Sequence, residues 1–288
     1  MPAPATHAQI KVGDITITYL PDGYTLLNPT AFLPASTPEA WQLHKQWLND
    51  AGQLVASIGG LLIQAQAGDR TVLVDTGFGD RHVDFPGFGP FQGGELLNSF
   101  RRAGVDPADV DAVVYTHLHL DHVGWTSRIT SGARTLTFPN ARYLMRGPEW
   151  EHWHGTDNPA GPGKEDVQQP LESRIELIED GQAIAPGVNV LATPGHTPGH
   201  SSVVVSSGGQ RAIILGDVLH CPVQLDEPEW TRVFDVDPEL GKRTRERLLQ
   251  ELEDPSTVGA AGHLADFTFG RVMRGQGKRR WMGGTTAS

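Results

Sequence analysis

YTHLHLDHVGW, residues 115–125, places three histidines and an aspartate within the six positions 117–122. In extended backbone the side-chain period is two, so His117 and His119 point the same way and can hold one ion together. Asp121 and His122, on the turn that follows, can face a neighbouring second ion. Histidine and carboxylate ligands suit zinc, whose catalytic sites leave a coordination position open for water. The plain alternative is a surface histidine cluster. It would stand if the rest of the chain offered nothing to complete the set.

The rest of the chain does offer something. Four short apolar segments end at an acid or a histidine: TVLV before Asp75, AVVYT before His117, VLATPG before His196 and AIILG before Asp217. STVGAAG before His263 is a weaker fifth case. Functional side chains of α/β proteins collect where the C-terminal ends of strands meet loops, so these residues converge if the strands share a sheet.

Composition narrows the class. A chain of 288 residues suits one α/β or β-rich domain, expected over residues 8–282, with loose ends at 1–7 and 283–288. The formal net charge of −11 argues against general nucleic-acid binding, which needs clustered Lys and Arg on phosphates. The basic run Lys278-Arg279-Arg280 reads as a solvated strand end. A single cysteine, Cys221, excludes an intramolecular disulfide and reads as a packed residue with no base beside it. MPAPATHAQI has neither a basic n-region nor a long apolar stretch, and no apolar run reaches the roughly 20 residues of a membrane span. The expectation is a soluble, cytoplasmic protein with a small-molecule partner, no nucleic acid and no membrane.

Periodicity predicts a strand pair over Gln9–Leu20 turning at Gly13-Asp14, a helix over Pro38–Asn49 with Trp41, Leu43, Trp47 and Leu48 buried, and strands at Val55–Gln66 and Thr71–Val74. A Gly- and Pro-rich loop is expected at Phe85–Gly94, a helix at Gly94–Gly104 and a buried strand at Ala112–Tyr115. An irregular region holds Trp150 and Trp153. Strands return at Val188–Ala192, Ser202–Val205 and Ala212–Leu215. Asp237-Pro238 reads as an N-cap and first helical residue, and a last strand reaches Ala261.

The ordered set VLVDTG (72–77), THLHLDH (116–122), TPGHTPGH (193–200), LGD (215–217) and AGH (261–263) resembles the signature of the metallo-β-lactamase fold superfamily. The resemblance covers most of the chain and implies an α/β fold, an αββα sandwich of two mixed β-sheets flanked by helices, with two metal ions at its rim. Carried over position by position, His117, His119 and His196 would bind the first ion, and Asp121, His122 and His263 the second. Asp217 would bridge them, and two Zn²⁺ per chain are expected, with Mn, Co or Fe able to substitute. Asp75 matches a family aspartate that orients ligands and loops, and His200 reads as structural or orienting. Phe85, Phe88, Trp150, Trp153 and Trp230 either line a pocket or simply pack.

Two bridged cations lower the pKa of the water between them and generate hydroxide near pH 7, so the resemblance implies hydrolysis, with Asp121, Asp217 and His220 as catalytic residues. Local departures sort the branches. True β-lactamases carry cysteine or serine where this chain has Asp217, and the diiron flavoproteins carry glutamate where it has His119. Nuclease branches are larger or carry basic inserts. Glyoxalase II and other thioesterases share all the ligands but add a helical region that binds glutathione. Mononuclear-iron persulfide dioxygenases lack most of the second ligand set, and non-catalytic members of the fold usually lose ligands. GDVLHCPVQLDEPEW (216–230) is most similar to the lactonase and methyl parathion hydrolase branch. Acyl-homoserine lactonases place a tyrosine three residues after the bridging aspartate, where this chain has His220. That histidine either hydrogen-bonds substrate or protonates the leaving oxygen, or packs beneath the loop. The expectation is a dinuclear zinc hydrolase opening a lactone or cleaving an ester, aryl esters and organophosphates included. By the same resemblance it forms a homodimer through Pro38–Asn49 or Phe85–Phe91.

Overall fold

Strand side chains alternate between two faces, and here each face meets a different core. Ile63, Val72, Val74, Ala112 and Val114 point into one apolar cluster, while Leu62, Leu73 and Val113, one residue away, point into another. Both faces of these strands are therefore buried, which is why their sequences read as unbroken apolar runs. The computed structural model describes residues 1–65, 67, 69–275 and 277–284.

The first sheet runs in the order Ile175–Ile178, Arg142–Arg146, Ala112–Val114, Arg70–Val74, Leu54–Ala65, Ile15–Leu27, Gly89–Gln92 and His82–Phe85, with Ala8–Val12 also paired to Ile15–Leu27. The second runs Ala183–Ala185, Val188–Ala192, Ser201–Ser207, Gln210–Ile214, Thr257–Ala260, Phe269–Gly275 and Lys278–Gly283. Both are mixed. Ala112–Val114 is parallel to Arg70–Val74, and Gln210–Ile214 is parallel to Thr257–Ala260. Inner residues of both sheets share one core, in which Ile17, Ile63 and Val114 meet Val190, Val203 and Ile214. Helix Leu96–Ala103 covers the outer face of the first sheet through Leu96 and Phe100, and helix Pro238–Glu251 covers the second through Leu248 and Leu249. The result is the αββα sandwich.

Several local expectations are corrected. The span 38–49 is not one helix but a turn of helix at Pro38–Trp41 and a 3₁₀ turn at Lys45–Trp47. Trp41 is buried, but Leu43 is 79% exposed. The break lets His44 turn inward against Trp41 and Trp230. The expected loop at Phe85–Gly94 is instead the turn and second strand of a hairpin that pairs His82–Phe85 with Gly89–Gln92. The irregular region contains strands Ser127–Thr130, Ala133–Leu136 and Arg142–Arg146, and helix Gly147–Trp153. The strand ending at Ala260 is not the last, because Phe269–Gly275 and Lys278–Gly283 extend the sheet. Gly283, expected in a loose tail, pairs with Gly270, while 285–288 lie outside the described residues. The N-terminal residues are also held: Ala5 is buried and donates its N–H to Ser57 Oγ, and Ala3 donates to Asp266. Arg279 of the basic run bonds Glu246 and Glu253 rather than solvent alone. The helix at Pro238–Glu251 begins as expected, with Asp237 accepting the Leu240 N–H. Among the described residues no helix is long and apolar enough to cross a membrane.

The shared core gives a direct check. Ile63→Ala is expected to cost about 2–5 kcal/mol in chemical denaturation, as large-to-small core changes do. Ile129→Ala, at a site 61% exposed, should stay within about 0.5 kcal/mol. Equal effects would mean that the two sheets do not share a packed interior.

Candidate metal centre

The residues singled out by the sequence stand at one end of the sandwich. Asp75 follows strand Arg70–Val74, His117 and His119 follow Ala112–Val114, and Asp217 follows Gln210–Ile214. His196 follows Val188–Ala192, which runs in the same direction as Gln210–Ile214 because each is antiparallel to Ser201–Ser207 between them. His263 follows Thr257–Ala260. The Ser201 N–H donates to the Thr116 carbonyl at 2.8 Å and ties the rims of the two sheets together.

Two nests of donor atoms form there. In the first, His117 Nε2, His119 Nδ1 and His196 Nε2 lie 2.7–3.2 Å from one another. Asp217 Oδ2 sits 3.4 Å from His117 Nε2 and 3.2 Å from His196 Nε2. In the second, His122 Nε2 and His263 Nε2 are 3.0 Å apart. Asp121 reaches them at 3.9 and 3.6 Å. Asp217 Oδ1 lies 3.1 Å from each of these two nitrogens. The structure thus brings together all seven residues named from the sequence, with one oxygen of Asp217 turned toward each nest.

The chemistry of these donors fits a cation. His122 gives its Nδ1–H to Asp75 at 2.8 Å, His196 to Asp235 at 3.0 Å and His263 to the Ser57 carbonyl at 2.8 Å. Each Nε2 is therefore left facing its nest. His122 Nε2 and His263 Nε2 face each other, and at most one of them can carry a hydrogen in the gap. Asp217 Oδ1 is buried with no hydrogen-bond partner, an arrangement that is costly unless something positive fills the space. Tetrahedral zinc, with ligands at about 2.0–2.1 Å, sets neighbouring donors about 3.3 Å apart, close to the spacings here. Burial alone would push the Asp217 carboxyl up, but His220, His122 and His263 hold it well below the usual carboxylate range. Burial holds His117 and His119 well below the ordinary imidazole value, so both are neutral. At His122 burial opposes positive charge, yet Asp217 and Asp75 overcome it and raise its pKa. The second nest attracts positive charge.

Surrounding side chains hold the donors in place. Asp75 adopts φ +60, a left-handed conformation unusual for a non-glycine residue. From it the carboxylate accepts the Thr116 N–H, the Thr116 hydroxyl and the His122 Nδ1–H. His200, pushed down to about 3 by burial and then by His196, is neutral. It gives Nδ1–H to the Thr193 carbonyl and accepts the Asp217 N–H at Nε2, 2.9 Å away. Gly216 makes this approach possible: its φ is +54, and a Cβ there would lie 2.7 Å from His200 Nε2. Cys221 is buried in the apolar cluster with Phe32 and Trp41, its thiol pushed up to about 12 by burial.

The sequence reading missed Glu149. Fully buried, it accepts from the Leu118 N–H and Trp153 Nε1 on one oxygen, and from the Thr197 hydroxyl and Gly199 N–H on the other. It therefore clamps the His117–His122 loop to the His196–His200 loop. Trp153 lies against the His119 ring and packs beneath it; Trp230 likewise packs on Trp41. Arg232 and Asp235 were also missed. The side chains of both are little exposed, and both touch residues of the first nest. Asp22 is a fourth, a buried carboxylate that accepts the Phe78, Gly79, Gly94 and Leu96 N–H groups and Trp125 Nε1.

A cavity of about 280 Å³ opens onto the donors, with Leu27, Phe32, Phe85, Phe88, Phe91 and Phe234 as walls and His119, Asp121, His196, Asp217, His220, Arg232 and His263 as floor. Phe88 on the hairpin and Phe234 on the opposite loop meet at 5.3 Å between ring centroids, at the rim.

The profile of the metallo-beta-lactamase superfamily matches residues 61–263, and the chain belongs to that superfamily. It is a metal-dependent hydrolase of this class. Among its relatives, the N-acyl homoserine lactonase AiiA of Bacillus thuringiensis subsp. kurstaki is 27% identical over 208 residues, which are 67% of this chain and 76% of that one. Among solved structures, the dizinc quorum-quenching lactonase AidC superposes with a TM-score of 0.83 at 22% identity, covering 99% of both chains. The hydrolase AbOPH of the β-lactamase superfamily superposes at 0.80 with 27% identity, covering 99% of this chain and 100% of that one. The lactonase branch noted from the sequence agrees with these relatives.

Glu149→Ala removes the acceptor for all four donors at once. It is expected to destabilise the protein by roughly 2–4 kcal/mol in denaturant titration, because the donors stay buried without partners. A loss under about 1 kcal/mol would mean that the two loops are held by other contacts.

Proposed function

We propose that this protein is a dinuclear zinc hydrolase that opens lactones or cleaves esters with an apolar acyl or aryl group. The observation that carries this reading is the shared carboxylate: Asp217 Oδ2 faces the nest of His117, His119 and His196, while Oδ1 faces that of Asp121, His122 and His263. Bound cations supply acidity that ionises water near neutral pH and charge that polarises a carbonyl oxygen. The chain's own residues do the rest. The aromatic walls take an apolar group and exclude water, which strengthens every charge interaction at the floor. Apart from the nest residues, His220 and Arg232, the lining is uncharged, which suits a neutral substrate better than an anionic glutathione thioester. The relatives named as lactonases support the same choice of bond.

His220 stands at this floor with Nε2 2.8 Å from Asp217 Oδ2, where it also meets Arg232 Nη1. Its Nδ1 is buried with no hydrogen-bond partner, and the residue lines the cavity. Zinc-loaded protein assayed on lactones, aryl esters, thioesters and phosphotriesters tests the reading. Apolar lactones and aryl esters should be turned over fastest, and a preference for glutathione thioesters would overturn the assignment.

Two variants sharpen it. Asp217→Asn should lower turnover by orders of magnitude with the fold retained, and near-normal activity would remove Asp217 from its bridging role. His220→Leu should slow an aliphatic lactone by roughly 10²-fold, the scale of general-acid assistance, and a nitrophenyl ester much less, since nitrophenolate leaves without a proton. Equal losses on both substrates would make His220 a packing residue.

A further inference from the structure

We infer that Arg232 and Asp235 act as one positioning unit, which sets His196 of the first nest and the Asp217 oxygen that faces it. The inference rests on the dinuclear reading above and extends it to residues outside the donor set. Arg232 Nη1 donates to Asp217 Oδ2 at 2.9 Å, while Nη2 donates to Asp235 Oδ1 at 2.8 Å. The same Asp235 Oδ1 accepts the His196 Nδ1–H at 3.0 Å, and Oδ2 accepts the Arg232 backbone N–H at 3.0 Å. One guanidinium therefore spans the bridging carboxylate and the anchor of a histidine. The segment is further tied to the His196 loop by Val236 N–H to the His196 carbonyl and Asp237 N–H to the Gly195 carbonyl, at 3.0 and 2.9 Å.

The task needs an arginine. Its planar fork presents two donors in fixed directions, whereas the ammonium of a lysine is a single point that cannot hold both acceptors in the same geometry. Asp235 fixes the tautomer and ring orientation of His196, as carboxylates do for metal-binding histidines. Arg232 sets the rotation of the Asp217 carboxylate. The two charges cancel, so the unit orients its neighbours without adding net charge to the floor. The second nest is oriented instead by Asp75 and the Ser57 carbonyl. Arg232 and Asp235 have side chains 4% and 5% exposed. The pair also partners Asp217 and His196, so replacing it leaves the Asp217 carboxylate and the His196 Nδ1–H each short of one partner.

This contrast makes the test. Metal-free wild type and the double variant Arg232→Met/Asp235→Leu are titrated with zinc against a competing chelator, with thermal unfolding followed in parallel. The double variant should unfold somewhat below the wild-type temperature in the metal-free state, since Asp217 and His196 lose a partner, and bind one of its two zinc ions about 10–100-fold more weakly, the range found when partners of metal ligands are removed. The other ion, which shares only Asp217 with this unit, should be weakened clearly less. Wild-type affinity for both ions, or equal weakening of both, would overturn the inference. If the double variant does not fold, Asp235→Asn decides: one ion weakened at least tenfold sustains the unit, and unchanged binding overturns it. A wild-type chain that takes a single ion would sink the dinuclear reading, and the effect of Asp235→Asn on that ion would then decide the positioning role by itself.

Discussion

The arrangement turns on one buried carboxylate. Asp217 sits among the imidazoles of His117, His122, His196, His220 and His263, with its two oxygens facing different nests. A carboxylate so placed is stable only where positive charge meets it. Its position follows from the sandwich. Strand Gln210–Ile214 lies between Ser201–Ser207 and Thr257–Ala260, and the loop after it emerges at the seam where the rims of the two sheets meet. Gly216 turns the chain in a left-handed conformation, and His200 receives the Asp217 N–H, so the carboxylate is aimed from behind as well as from in front.

The same economy joins substrate pocket and metal centre. The loop that carries Arg232 and Asp235 to the first nest also carries Phe234 to the rim, where it meets Phe88 of the hairpin. A short segment thus serves both the charged floor and the apolar wall. Glu149 does comparable work from the opposite side: its oxygens hold the two histidine loops, and Trp153, bonded to it, packs on His119. Glu149, Arg232 and Asp235 are tolerated at this depth because each is hydrogen-bonded to its neighbours. The pocket above them is apolar because no charge there has a partner to neutralise it.

Legibility in the sequence followed burial and distance. The strands before Asp75, His117 and Asp217 are buried on both faces, so their apolar runs stop abruptly at the functional residue and mark it. The metal-type residues carried a recognisable pattern because His117 to His122 are adjacent, and His196, Asp217 and His263 each follow a glycine at a strand end. Glu149, Arg232 and Asp235 carried none. A lone charged residue has no periodicity, and Glu149 finds its partners 31 and 48 residues away, so only the folded chain reveals the bonds. The hairpin His82–Gln92 was hidden by its glycines and prolines and by its half-exposed faces. The last two strands were hidden because one of their faces carries Arg271, Met273, Lys278 and Arg280, which read as loop or tail rather than as the solvated side of a sheet. The break after Trp41 could not be read from helical spacing, since what turns His44 inward is Trp230, far away in the chain.

The central claim is that one carboxylate holds two cations. Crystals of zinc-loaded protein, measured on both sides of the zinc absorption edge, test it most directly. The account predicts two anomalous peaks flanking the Asp217 carboxylate, one against His117, His119 and His196 and the other against Asp121, His122 and His263. A single peak after full loading, or two peaks of which neither touches Asp217, would contradict it.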